Sequence, residues 1–216
     1  MNQKLRKWLR WLQVIRDDVQ QLVIHKDIFE HVRKIIEANP RIQIPNAFYD
    51  FMGGSYAAYA AMGIRRQARY HKDSISFIGL LGDIADNPHA LTRGYYVSLY
   101  GGPGITHLAD KEFDRFSGTG GAHIDPTLVR RDIRRLEARW REVREFIDRR
   151  IAHHDRKAVA MPSGYRDIDA CIDLLDELYC RYHLLLNAKA ITSLKPDCQD
   201  DWKEIFRHRW IGGKGA

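Results

Sequence analysis

Between residues 144 and 155 the chain reads Arg-Glu-Phe-Ile-Asp-Arg-Arg-Ile-Ala-His-His-Asp. On a helix, Arg149 with His153 and Arg150 with His154 are i,i+4 neighbours that share a face. An imidazole that titrates near neutrality can take the proton of a ribose 2′-hydroxyl or return one to a leaving oxygen. A guanidinium beside it can hold the scissile phosphate through two parallel hydrogen bonds. Arg149, Arg150, His153 and His154 are therefore the candidate catalytic set, and the chemistry they suit is metal-independent cleavage of RNA. The same residue types also have a structural use. Histidines near a helix C-terminus cap its last carbonyls and favour its dipole, and arginine-rich helix faces are commonly just solvated.

The segment around them is strongly basic. Pro126 to Lys157 holds eleven basic and six acidic residues, a net charge of +5, within a 216-residue chain of formal charge +7. Such a surface favours polyanions through counterion release and steering, and it also serves ordinary solubility. Arg65, Arg66 and Arg69 form a second basic cluster. With Arg144 they are candidate phosphate contacts, provided their helix packs beside the Arg-His helix. Their alternative is an exposed charged face, or ion pairs with Asp83 or Asp86. Tyr56, Tyr59, Tyr95, Tyr96, Tyr100 and Tyr182 could stack on bases, or pack with their hydroxyls at the core boundary.

The elements that must position these groups all read as helices. Leu5, Trp8, Leu9, Leu12, Ile15, Val19 and Leu22 step by threes and fours, and Phe29, Val32, Ile35 and Ile36 continue the stripe. That predicts one helix from about Gln3 to Ala38, closed by Asn39-Pro40. A second helix is expected over 47–71, and a third begins after a cap at Asp73 or Ser74. A short one follows Thr92 through Tyr100. Residues 101–125, with six glycines, read as an irregular loop. Asp125-Pro126 opens the longest helix, because aspartate caps and proline tolerates the first helical position. Its seam is Val129, Ile133, Leu136, Trp140, Val143, Ile147 and Ile151. A turn at 161–164 leads into a helix over 165–191 that buries Ile168, Cys171, Ile172, Leu175, Leu178, Tyr182, Leu185 and Leu186. A short helix around 200–209 precedes a glycine-rich tail. The fold class is all-α, a bundle of about four to five long helices with short accessory ones. Residues 1–211 form the expected domain and 212–216 a flexible tail.

The Ile-Ala-His-His-Asp end of a long helix, followed by a turn and a second long helix, resembles the HEPN superfamily, and more closely its AbiU-like, abortive-infection-associated branch. Trp11-Leu12-Gln13-Val14-Ile15-Arg16-Asp17-Asp18, Ile64-Arg65-Arg66-Gln67, Ser74-Ile75-Ser76 with Leu80-Leu81, and Asp201-Trp202-Lys203-Glu204-Ile205-Phe206 are similar to that branch too, so the likeness spans nearly the whole chain. The resemblance implies a helical bundle that dimerises, RNA as target, and a toxin or antiphage-defence role with an antitoxin or other protein partner. It implies that twofold pairing brings two copies of the 144–155 segment together. Active HEPN ribonucleases keep four to six residues between arginine and histidine. Before His153 those arginine positions hold Phe146, Ile147 and Asp148, whereas Arg149 meets the spacing for His154. Helical facing also favours His154, and the Ala-His pair favours His153, so both stay open. Three readings follow: an endoribonuclease, a catalytically inactive dimerisation or interaction module on the same surface, and a structural helical protein whose charge has no specific ligand.

Other chemistries find no footing. Gly-Gly-Pro-Gly at 101–104 lacks the Gly-Lys-Ser/Thr ending of a nucleotide loop. His123 with Asp125, and His153-His154-Asp155, make no established metal-ligand set, and no cofactor is expected. Cys171, Cys180 and Cys198 form neither a disulfide framework nor a metal knuckle, and Cys171 reads as a buried thiol. No run approaches the roughly 18–20 apolar residues of a membrane span, and no secretory signal is recognised, so the expected location is cytoplasmic.

Overall fold

The computed structural model describes residues 2–102, 104–150, 164–196 and 201–208. Its helices are α1 (Gln3–Glu37), α2 (Ala47–Ala68), α3 (Phe77–Asp86), α4 (Arg93–Ser98), α5 (Thr106–Ser117), α6 (Pro126–Arg150) and α7 (Gly164–Asn187), with 3-10 turns at Pro40–Ile42, Pro88–Ala90 and Trp202–Arg207. The described residues contain no strand, and an isolated β-bridge joins Thr92 to His123. The fold is an all-α bundle. None of the described helices is long and apolar enough to cross a membrane.

The layout follows from which stripes must be buried. α1 buries Trp8, Leu12, Ile15, Val19 and Leu22, the expected face, against α7 and α2. α6 packs on α3, α7 and α2, so α7 runs between the two longest helices. α7 is apolar over more than one face, burying Ile168, Ile172, Leu175, Tyr179, Tyr182 and Leu186, as an element enclosed by neighbours must. Two glycines permit close approaches. A Cβ at Gly53 would collide with the Tyr165 hydroxyl, and one at Gly63 would come within 2.7 Å of Leu22.

Four boundaries differ from the sequence reading. α2 stops at Ala68 rather than about residue 71. The cap of α3 is Ser76, not Asp73 or Ser74. Its hydroxyl oxygen accepts the Gly79 N–H at 3.2 Å while the Gln67 side chain accepts the Phe77 N–H at 3.0 Å, so tertiary packing chooses the start. Residues 106–117 are a helix, α5, inside the stretch expected to be irregular. Ala109, Phe113 and Phe116 supply its buried stripe, which glycine counting obscures. α7 ends at Asn187, four residues early, because Ala188 adopts a left-handed φ of 52°. The tail lies outside the described residues, as does Cys198.

Asp83 of α3 staples the start of α1. It accepts hydrogen bonds from Lys4 Nζ at 2.9 Å, Lys7 Nζ at 3.1 Å and Trp8 Nε1 at 2.7 Å. Burial disfavours the ionised carboxyl, but these three donors outweigh it and hold Asp83 below the ordinary carboxylate range. A depressed acid stabilises the fold above its unfolded value of about 3.9 and loses that contribution as pH falls through the folded value. Asp83→Asn should therefore cost about 1–3 kcal/mol at pH 7. It should also flatten the wild-type decline in stability below about pH 4, measured by urea denaturation across pH.

Candidate nucleic-acid interface

α6 carries the basic residues, and its start is set locally. The Asp125 carboxylate accepts the Thr127 N–H at 2.8 Å and the Thr127 hydroxyl at 2.7 Å. Val129, Leu136 and Val143 are buried along the expected seam. Between them lies Asp132, whose side chain has no solvent exposure. Tyr182 Oη donates to it at 3.1 Å, Arg135 Nη1 at 3.3 Å, and Arg181 Nε lies 3.4 Å away. Burial first, and then the neighbouring Asp132 charge, push the Tyr182 phenol up, so it remains a donor. Arg181 also donates to the Arg115 carbonyl at 2.8 Å and lies over the Phe116 ring, which ties α5 to the same point. Sequence reading passed over Asp132. Its signal was a carboxylate flanked by Val129, Ile133 and Leu136, where a charge must bring its own partners inside.

With α6 clamped this way, its opposite side faces solvent. Arg131, Arg134 and Arg141 are exposed there and form no ion pair among the described residues. At 100° per residue they fall within a sector of about 80°, spread over about 15 Å of helix. Other arginines of α6 are engaged: Arg130 with Asp86 at 3.2 Å, Arg135 with Glu177 at 3.0 Å, and Arg139 with Glu142 at 2.7 Å. The groove of about 520 Å³ between α6 and α7 is lined by Arg135, Arg139, Glu142, Asp173 and Glu177. Its arginines are matched by carboxylates, so it offers an anion little. The unpaired cations lie outside it.

Among the candidate residues, Arg144 is exposed on α6 and engaged in an interaction. Arg149 and Arg150 lie in the last turn of α6. His153 and His154 lie outside the described residues, as does most of the segment whose twofold pairing the resemblance implies. α2 packs beside α6, the condition set for its basic cluster. Arg66 pairs with Asp18 at 2.8 Å, not with Asp83 or Asp86, and Arg65 and Arg69 have no ion pair among the described residues. Gln67 binds the Phe77 N–H, Phe77 meets Tyr182 edge-on, and Tyr182 binds Asp132. Arg65–Arg69 are thus linked through packing to Asp132, and Arg150 is eighteen residues farther along α6 than Asp132, about 27 Å.

The tyrosines divide. Tyr56, Tyr96 and Tyr182 are buried with their hydroxyls on Asp169, Glu112 and Asp132, so they pack rather than stack. Tyr100 also donates to Glu112. Tyr59 is exposed, and Tyr95 is half-buried against the core. Burial drives the Cys171 thiol up to about 12, which makes it unreactive at neutral pH. Among the described residues no three His, Cys, Asp or Glu side chains are grouped to hold a metal ion. His123 instead stacks on His89, with ring centroids 4.0 Å apart.

No protein-family model, curated protein or solved structure matches the chain. What α6 can do must be read from its own residues.

Removing the Asp132 carboxylate should leave Arg135 and the Tyr182 hydroxyl without their shared acceptor and Arg181 without its counter-charge. Asp132→Ala is expected to cost about 3–5 kcal/mol, and Tyr182→Phe about 1 kcal/mol, both read from urea unfolding monitored by circular dichroism.

Proposed function

We propose that this protein is an RNA-binding module of HEPN-like, AbiU-like type whose α6 holds the phosphate backbone. The observation that carries the reading is the row of Arg131, Arg134 and Arg141, without an ion pair among the described residues, on one exposed side of a helix that runs on to Arg149-Arg150. The net charge of +7 supports it, because a basic surface steers and retains a polyanion. Long guanidinium side chains spread over about 15 Å of helix can reach several phosphates of one strand without reading its bases. The reading includes a cytoplasmic setting of toxin or antiphage-defence type, with an antitoxin or other protein as regulator. In its catalytic form, His153 or His154 moves the proton of the 2′-hydroxyl, and Arg149 and Arg150 hold the phosphate. In its non-catalytic form, the same face binds and nothing is cleaved.

Two experiments test this. Single-stranded RNA binding, followed by fluorescence anisotropy over a salt series, should weaken about tenfold or more in Arg131→Gln/Arg134→Gln/Arg141→Gln, and the slope of log affinity against log salt should fall by about 2. Wild-type affinity without salt dependence, or a triple variant that binds unchanged, rejects the interface. Total cellular RNA incubated with the purified protein in chelator should be cut by the wild type. That cutting should be lost in His153→Ala or in His154→Ala while binding and helicity persist. Intact RNA in every sample, with salt-dependent binding retained, selects the non-catalytic form.

A further inference from the structure

Where α7 ends, the chain turns back and closes a cavity away from α6. Ala188 takes a left-handed φ of 52°, and the residues after it return toward α7 and α1. Three hydrogen bonds hold them there. The Asp176 carboxylate accepts the Ser193 hydroxyl at 2.6 Å and the Leu194 N–H at 2.8 Å, and Gln20 Nε2 donates to the Leu194 carbonyl at 3.0 Å. Between this return segment, α1 and α7 lies a cavity of about 350 Å³, within the size range of small-molecule sites.

Each helix gives the cavity two residues spaced four apart, Arg16 and Gln20 from α1 and Tyr179 and His183 from α7. Tyr179 is the one that the bundle does not explain. It is 1% exposed, yet its hydroxyl makes no hydrogen bond among the described residues. Tyr56, Tyr96 and Tyr182 by contrast place theirs on carboxylates. A buried tyrosine hydroxyl ordinarily has a partner, and one left without it bears the cost of its desolvation. Burial pushes the Tyr179 phenol up to about 12, with the Arg16 charge opposing and Cys180 and Asp17 adding to the rise, so it is a donor at neutral pH.

The groups around that hydroxyl are donors too. Arg16 has no ion pair among the described residues. His183 stacks on Tyr179 with ring centroids 6.0 Å apart, and its Nδ1–H is given to the Lys189 carbonyl at 2.9 Å. A carbonyl can only accept, so Nε2 is the nitrogen left for a ligand. Lys195, paired with Asp27 at 2.6 Å, adds a third basic side chain to the lining. No described aspartate or glutamate lines the cavity, whereas the α6–α7 groove matches its arginines with three carboxylates. Ile191 and Pro196 supply apolar surface.

We propose that this cavity binds a small phosphate monoester, whose phosphate accepts from Arg16 and the Tyr179 hydroxyl and whose organic part lies on Ile191 and Pro196. A neutral ligand would satisfy the hydroxyl and leave the Arg16 charge uncompensated, whereas an anion meets both. The three terminal oxygens of a phosphate suit donors that arrive from two helices, and a protonated His183 adds a third donor. The site lies on α1 and α7, so it is independent of the RNA-binding reading of α6.

The test is calorimetric titration of the full chain with adenosine 5′-monophosphate, inorganic phosphate and adenosine. The monophosphate should bind once per chain, and adenosine at least tenfold more weakly. Tyr179→Phe should weaken the monophosphate about tenfold and Arg16→Gln by more. Tyr179→Phe should keep the wild-type urea midpoint, because its hydroxyl has no partner in the chain to lose. Arg131→Gln/Arg134→Gln/Arg141→Gln should bind the monophosphate as the wild type does. No binding of monophosphate or inorganic phosphate at about 5 mM overturns the proposal, as does adenosine binding as tightly as its monophosphate. Affinity undiminished in either Tyr179→Phe or Arg16→Gln, or lost in the triple α6 variant, also overturns it. Short RNA with a 5′-phosphate or a 5′-hydroxyl separates the two sources of the group. A preference for the phosphorylated end that Arg16→Gln abolishes assigns the cavity to RNA termini, and equal binding of the two assigns it to a free monoester.

Discussion

A carboxylate sealed from solvent in the middle of α6 governs where the exposed charges of that helix can point. Asp132 is surrounded by Tyr182, Arg181 and Arg135 at 3.1–3.4 Å, and a buried charge is tolerated only with such partners in place. Meeting that demand fixes the rotation of α6 about its axis and its height against α7. Arg181 extends the constraint to α5 through the Arg115 carbonyl and the Phe116 ring. Once Asp132 points inward, Arg131, Arg134 and Arg141 must point outward.

The disposition of the remaining charges follows the same logic of pairing. Asp83 takes up the two lysines and the indole of the first turns of α1, and Arg93 is held by Asp110 and Asp114 at 3.1 and 2.6 Å. On α7, Asp173 and Asp169 stand beside Lys26, and the Tyr56 hydroxyl donates to Asp169. These contacts join separate elements of the bundle by matching each charge with an opposite one. Arg131, Arg134 and Arg141 on α6 and Arg65 and Arg69 at the end of α2 form no ion pair among the described residues, and neither do Arg6, Arg10 and Arg16 on α1.

α2 has two different faces for two different reasons. Inward it offers Gly53, Ala57, Ala60 and Ala61, small enough to let α1 and α7 close on it, with Tyr56 and Ile64 buried beside them. Outward it keeps Phe48, Phe51, Tyr59 and Met62 exposed. The first face is explained by the packing of this chain, and the second stays exposed.

Much of the fold was legible because helical periodicity is a local property. The stripe from Leu5 to Leu22, the Asp125-Pro126 start of α6 and the buried face of α7 each follow from residues within a few turns of one another. The basic run of α6 and the Arg149, Arg150, His153, His154 cluster were equally visible, since residue type and spacing are all they require. Tertiary structure alone decided the rest. Ser76 became a cap because Gln67, nine residues earlier, accepts the next N–H, and α5 formed because Phe113 and Phe116 found a core to enter. Arg66 found Asp18 instead of Asp83 or Asp86, and Asp132 became the buried anchor of the bundle. The physical reason is common to all of these. Periodicity says which side of a helix is apolar, but the partner of a polar group depends on which distant segment packs across from it, and that is set by the assembled core.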